Sequence, residues 1–246
     1  MIYVDTLCFH YPHTQRPVFV DFSLHVPAGE FVCILGQSGC GKTTLLHLIA
    51  GFLAPIAGRI VVNGLPVCGA GPERAMIFQE ATLFPWLTVA DNVGFGLRAQ
   101  GMGKAAITQT VTAQLERMGL AEYAHRYPCH LSGGMRQRVA LARVLVLEPP
   151  VLLMDEPFSA LDIPTRERLQ DDLLTLWMTQ GNTIIYVTHS AEEAAYLAGR
   201  ILVFAPSGAI IHQEQVCASW PRDRLGAERL AVEQRLRTVL RNAATS

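Results

Sequence analysis

Four short runs of the chain are apolar at every position rather than at every second one. They are Phe31-Val32-Cys33-Ile34-Leu35, Val151-Leu152-Leu153-Met154, Ile184-Ile185-Tyr186-Val187 and Ile201-Leu202-Val203-Phe204. A strand covered on one face alternates apolar and polar residues, whereas a strand covered on both faces does not. These runs therefore predict parallel strands at the centre of a layered α/β fold. The first run passes at once into a glycine-rich turn and then a helical stretch from Lys42 to Ala50, with Gly51 placed to stop it. After the third run, Ser190-Ala191-Glu192-Glu193 has the spacing of a capping box that opens the next helix.

Two regions depart from this pattern. Arg59-Ile60-Val61-Val62 runs into Asn63-Gly64, a hairpin-type turn, which predicts a small antiparallel sheet near the N-terminus. Between Val89 and Leu147 the strand signals vanish, and Ile107, Val111, Leu115 and Met118 fall at helical spacing before Gly119. This reads as a helical subdomain inserted into the sheet. Val232, Leu236, Val239 and Leu240 make a last helical stripe. The expected division is a core from residues 1–85 and 151–220, a helical subdomain over 86–150, and a C-terminal helical tail over 221–246.

Composition narrows the field. With 50% apolar and 17% charged residues in 246, the chain is not intrinsically disordered and has length enough for a core without disulfides. Twenty basic residues against 21 acidic ones leave a net charge of -1, so there is no global basic field to hold nucleic acid. The six cysteines are scattered and form no C-x-x-C pair, as in a reduced protein. His10, His13 and the Cys129-His130 pair lack a full set of zinc ligands. The first residues lack the pattern of a signal peptide. Despite a mean hydropathy of +0.25, no apolar run reaches the roughly 18 residues of a membrane span. Work at a membrane would need a partner that crosses it.

Gly36-Gln37-Ser38-Gly39-Cys40-Gly41-Lys42-Thr43 matches G-x-x-x-x-G-K-[ST] between a strand and a helix, the context that motif requires. Glycines let backbone N–H groups curl around phosphates, and the helix N-terminus adds partial positive charge. Lys42 is positioned to reach the β- and γ-phosphates and Thr43 to ligate Mg²⁺; Lys42 is one of only two lysines in the chain. Asp155 and Glu156 end the second apolar run, as in a Walker B segment: Asp155 to hold Mg²⁺, Glu156 to orient or deprotonate an attacking water.

Leu131-Ser132-Gly133-Gly134-Met135, just upstream of that strand, resembles the signature motif of the ATP-binding cassette (ABC) ATPases, with Met135 where glutamine is commoner. Gln79 resembles the family's Q-loop residue, Ser159-Ala160-Leu161-Asp162 its D-loop, His189 its switch histidine, and Tyr11 the aromatic that stacks on adenine. The resemblance spans roughly residues 2 to 212 with the motifs in the family's order. It implies a P-loop NTPase, RecA-like α/β core with a small antiparallel β-subdomain and an inserted α-helical subdomain. It also implies ATP and Mg²⁺ as ligands. Gly36 to Thr44 and Tyr11 would bind the nucleotide, and Thr43, Gln79 and Asp155 the metal. Lys42, Gln79, Glu156 and His189 would serve hydrolysis. Each ATP would be closed by Ser132, Gly133, Gly134 and Asp162 of a second copy in a head-to-tail dimer.

The stretch from Glu80 to Val89 holds Phe84-Pro85-Trp86 and is unusually apolar for a connector. In importers of this family the matching region receives the permease, so at least one of the two aromatics is expected at an interface. The wording from Gly71 to Gln79 and then Leu83-Phe84-Pro85-Trp86, with the later Trp220-Pro221-Arg222-Asp223-Arg224, resembles the nitrate, sulfonate and taurine importer group. The expected partners are transmembrane permease subunits, a second ATP-binding subunit and, indirectly, a solute-binding protein. The expected location is the cytoplasmic face of the inner membrane, held peripherally. The alternative weighed is a soluble mechanical ATPase acting on nucleic acid or ribosomes, which the near-neutral charge disfavours.

Overall fold

The computed structural model describes residues 1–244 except His13, Gln15, Ala218, Ser219 and Pro221; His13 and Pro221, named above, thus lie outside the described residues. Two sheets organise the chain. Strands β1 (Ile2–Phe9), β2 (Phe19–Val26), β4 (Ala57–Val62) and β5 (Leu65–Pro66) form an antiparallel sheet in the order β2-β1-β4-β5. Its last connection is the expected turn, with Asn63 and Gly64 at φ 50° and 82° and Val62 facing Leu65.

The larger sheet has six strands. They are β3 (Phe31–Gly36), β6 (Arg74–Ile77), β7 (Val151–Asp155), β8 (Thr183–Thr188), β9 (Arg200–Phe204) and β10 (Ile210–Gln215), in the order β10-β9-β3-β8-β7-β6. All pairings are parallel except that of β10 with β9. The continuous apolar runs follow from burial on both faces. Phe31, Cys33 and Leu35 of β3 join the core beneath the helical subdomain, while Val32 and Ile34 join a second core shared with the antiparallel sheet. Helix α1 (Lys42–Ala50) lies on that second side and ends at Gly51, φ 82°, whose N–H bonds the His47 and Leu48 carbonyls.

The inserted helices are α2 (Val89–Ala99), α3 (Lys104–Arg117) and α4 (Gly133–Leu145). Then α5 (Ile163–Gln180), α6 (Ala191–Leu197) and α7 (Ala227–Ala244) complete the chain. Helix α7 packs its Val232 and Leu236 into the main core. Among the described residues no helix is long and apolar enough to cross a membrane.

Asn92 on α2, wholly buried, braces the loop that carries Phe84 and Trp86. Its Oδ1 accepts from the Phe84 N–H at 2.9 Å, and its Nδ2 donates to the carbonyls of Phe84, Leu87 and Thr88 at 3.0–3.1 Å. Asn92→Ala takes the partner from the Phe84 N–H and the Leu87 carbonyl, while the Phe84 and Thr88 carbonyls keep backbone N–H partners, and the expected cost is about 2 kcal/mol. A lower urea midpoint at unchanged slope would register it.

One local expectation is corrected. Ser190 caps α6 by accepting from the Glu193 N–H at 3.3 Å. The Glu193 carboxylate, however, does not return to the Ser190 N–H as a capping box requires. That N–H donates to Thr188 Oγ1 at 3.0 Å, and the carboxylate turns inward to Thr188, Tyr186 and Gln170. Buried hydroxyl and amide donors without water claim the acid more strongly than an N–H already served nearby.

Candidate nucleotide site

The turn between β3 and α1 is shaped by what its glycines exclude. A Cβ on Gly36 would stand 2.7 Å from Cys40 Sγ, and one on Gly41, at φ 100°, would stand 2.9 Å from Val18 Cγ1. Helix α1 has no side-chain cap and no acidic residue in its first turn. Its N-terminal N–H groups and partial positive charge therefore remain available to an anion. Lys42 is folded back on the loop, donating to the carbonyls of Gly36 and Gln37 at 2.8 Å each. In front of this turn lies a cleft of about 690 Å³ lined by Ser38 to Thr44, Tyr11, Gln79, Asp155, Glu156 and His189. Tyr11 stands edge-on to Phe9, and its hydroxyl bonds Thr44 Oγ1 at 3.0 Å.

Three side chains far apart in sequence meet at one carboxylate oxygen. Glu156 Oε2 lies 3.1 Å from His189 Nδ1 and 3.4 Å from Gln79 Nε2. Glu156 has a backbone φ of 44°, a conformation costing a non-glycine residue about 1 kcal/mol. The fold holds it there: its N–H donates to the Val187 carbonyl on β8, and its carbonyl accepts from the N–H and hydroxyl of Ser159. The left-handed turn lifts Glu156 off the end of β7 toward the cleft.

Asp155, buried beside it, has its carboxyl pushed up by burial, with the Thr43 hydroxyl bond, His47 and Lys42 pulling it down and Glu156 adding to the rise. Asp155 and the Thr43 hydroxyl bonded to it, with Gln79 lining the same cleft, offer hard oxygen donors that suit Mg²⁺. Among the described residues no cluster of three or more His, Cys, Asp or Glu side chains stands ready for a metal. Phosphate oxygens and water would therefore complete the shell.

The signature residues stand apart from this cleft. Ser132 caps α4, its hydroxyl accepting from the Met135 N–H at 3.2 Å, and Ser132 and Gly133 are exposed. Asp162 caps α5 in the same way; the Thr165 N–H holds its carboxyl below the usual range. Neither it nor Ser132, Gly133 or Gly134 lines the cleft. Within one copy these residues do not reach the P-loop.

Two further residues in and around the site show their contacts only in the fold. Gln137, 2% exposed, donates from Nε2 to the carbonyls of Phe78 and Pro157 at 3.3 and 3.0 Å. It thereby ties α4 to the neighbours of both Gln79 and Glu156. Arg16 brings a cation to the cleft mouth.

The family model described as "ABC transporter" matches residues 19–159. The chain belongs to the ABC transporter family. It is an ATP-binding cassette and an ATPase. The taurine import ATP-binding protein TauB of Yersinia pestis bv. Antiqua is 49% identical over 191 residues, 78% of this chain and 75% of that one. The nitrate import ATP-binding protein NrtD of Synechocystis sp. is 47% identical over 194 residues, 79% of this chain and 73% of that one. A solved dimeric cassette, MJ0796, in a post-hydrolysis state bound to ADP and Pi, superposes with a TM-score of 0.82 at 28% identity. That match covers 89% of this chain and all of that one.

On the outside of the cassette the two aromatics of the connector part company. Phe84 is half-buried against Phe95, ring centroids 4.6 Å apart, with the Arg143 guanidinium 5.3 Å from its ring. Trp86 is 71% exposed. Phe84 anchors the patch and Trp86 presents it.

Proposed function

We propose that this cassette is the ATP-hydrolysing subunit of an importer for a small solute such as taurine, another sulfonate or nitrate. It works as a homodimer on the cytoplasmic face of the inner membrane, held there by separate permease subunits and served by a solute-binding protein. The observation that carries the reading is the sustained similarity, near half of aligned positions over more than three quarters of the chain, to import ATP-binding proteins for those solutes. The near-neutral charge and the exposed Trp86 weigh against a mechanical ATPase on nucleic acid.

In this reading Tyr11 stacks on adenine and Gly36 to Thr44 cradle the phosphates, with Lys42 swinging from the loop carbonyls to the β- and γ-phosphates. Thr43, Asp155 and Gln79 hold Mg²⁺, which when bound neutralises phosphate charge. Glu156 orients and deprotonates the attacking water, and His189 contacts the γ-phosphate. Ser132, Gly133, Gly134 and Asp162 of the second copy close the site. The separation of the signature residues from the cleft supports this division between copies.

Isolation of the native complex, followed by identification of the solute held by its binding protein, tests the proposal. A sulfonate or nitrate is expected; an oligosaccharide or a metal ion would overturn the cargo assignment. Trp86 has a narrower test. A large aromatic offers much contact area for little side-chain entropy, so Trp86→Ala should weaken assembly with the permease about tenfold or more. Basal ATP hydrolysis by the free cassette should stay within twofold of wild type (roughly the scatter expected of a surface change). Equal loss of both would place Trp86 in the ATPase itself.

A further inference from the structure

Trp220, Arg222 and Arg224, between β10 and α7, take no part in the nucleotide cleft, yet both arginines are spent on specific contacts. Arg222 is 7% exposed and lies over the Trp220 ring at 3.7 Å. Its guanidinium donates to the carbonyls of Ala195, Tyr196 and Ala198 at 3.0, 3.2 and 2.7 Å, and to that of Val216 at 3.2 Å. The first three are the open carbonyls at the C-terminal end of α6, where a cation is favoured. Burial lowers the Arg222 pKa to about 10, which still leaves it charged at neutral pH.

Arg224 grips the same helix from the side. Its guanidinium lies over the Tyr196 ring at 3.8 Å and donates to Asp171 Oδ1, the Glu167 carbonyl and Gln170 Oε1 at 2.6, 2.8 and 2.8 Å. Gln170 is 3% exposed and relays the contact, donating from Nε2 to Glu193 Oε1 at 3.2 Å. The other oxygen of Glu193 accepts from Thr188 Oγ1 at 2.6 Å and from the Tyr186 hydroxyl at 3.1 Å. Thr188 Oγ1 in turn accepts from the Ser190 N–H, and Ser190 Oγ from the Glu193 N–H. Both chain neighbours of His189 are thus tied to Glu193, and His189 alone points outward, its side chain 68% exposed, toward Glu156.

We propose that Glu193 is the positioning residue for His189, and that Arg222 and Arg224 brace α6 so that Glu193 keeps its place. The C-terminal segment thereby acts on hydrolysis without touching nucleotide. This rests on the proposed role of His189 at the γ-phosphate.

The test uses the full chain with Glu193→Gln, Arg224→Met and His189→Ala, singly and with each of the first two added to His189→Ala. Glu193→Gln keeps the side-chain volume but replaces one acceptor oxygen with a donor. It and Arg224→Met should lower kcat about tenfold, the effect of misplacing a group in the transition state by roughly 1.4 kcal/mol, with KM for ATP within twofold of wild type. Added to His189→Ala, each should change kcat less than twofold, because it acts through that ring. An equal loss in both backgrounds would overturn the brace, since general destabilisation does not need His189. A second readout stands apart from turnover. The imidazole NMR signals of His189, among eight histidines, should move in Glu193→Gln and Arg224→Met, and unmoved signals would overturn the brace. Moved signals alongside an unaffected kcat in His189→Ala would uphold the brace and refute the role of His189 in hydrolysis.

Discussion

Glu156→Gln should bind ATP normally and hydrolyse it about 10²- to 10⁴-fold more slowly, the usual worth of a positioned general base. Glutamine has the size of glutamate and retains an oxygen for the His189 and Gln79 contacts at 3.1 and 3.4 Å, but it has no carboxylate to take a proton from water. The backbone that presents residue 156 is held by Val187 and Ser159 through main-chain groups that the substitution does not alter. Folding and nucleotide binding should therefore survive. With the chemical step blocked, an ATP-bound dimer should accumulate, visible as an earlier-eluting species in size-exclusion chromatography with ATP. A phosphate-release assay on the same sample supplies the rate. Near-normal turnover would remove Glu156 from the activation of water.

Lys42→Ala should fail one step earlier. Lys42 is 6% exposed and its ammonium is held by two loop carbonyls, so it is stored beside the phosphate cradle rather than in solvent. Moving to a phosphate exchanges two neutral acceptors for an anionic one, and charge-assisted bonds of this kind contribute about 1.5–3 kcal/mol. ATP affinity should fall about 10- to 150-fold, and no ATP-dependent dimer should form. Titration with a fluorescent nucleotide measures the first effect and chromatography the second. Unchanged affinity with lost turnover would make Lys42 a group that acts only in the transition state.

Much of the nucleotide site is legible along the chain because it is local. The turn from Gly36 to Thr43 has its glycines, lysine and hydroxyl inside one strand–helix junction, so spacing alone specifies the cradle. The four central strands are legible because burial on both faces leaves no alternation. The helix stop at Gly51 and the turn at Asn63-Gly64 follow from tolerance of positive φ, at one residue in the first and at two in the second. Strands β6 and β10 and helix α5 are not announced in this way. The two strands are sheet edges: β6 is only four residues long, one of them Arg74, and β10 is buried at no position. Helix α5 buries only Leu169, Gln170, Leu173 and Leu174 among its 18 residues.

What only the tertiary structure decided is where polar groups find partners. Gln79 and Glu156 are 77 residues apart and meet because their segments leave neighbouring strands, β6 and β7, at the same edge. Gln137 and Arg222 are each buried and bonded to main-chain groups 20 or more residues away, contacts that no spacing in the sequence announces. Glu193 shows the difference most directly. Its spacing from Ser190 announces a helix start, and the helix starts there, but its carboxylate serves Thr188, Tyr186 and Gln170 instead. Hydrogen bonds within a few residues can be read from spacing. Those made after the sheet and helices have packed depend on which donors packing has cut off from water, and no local pattern records that.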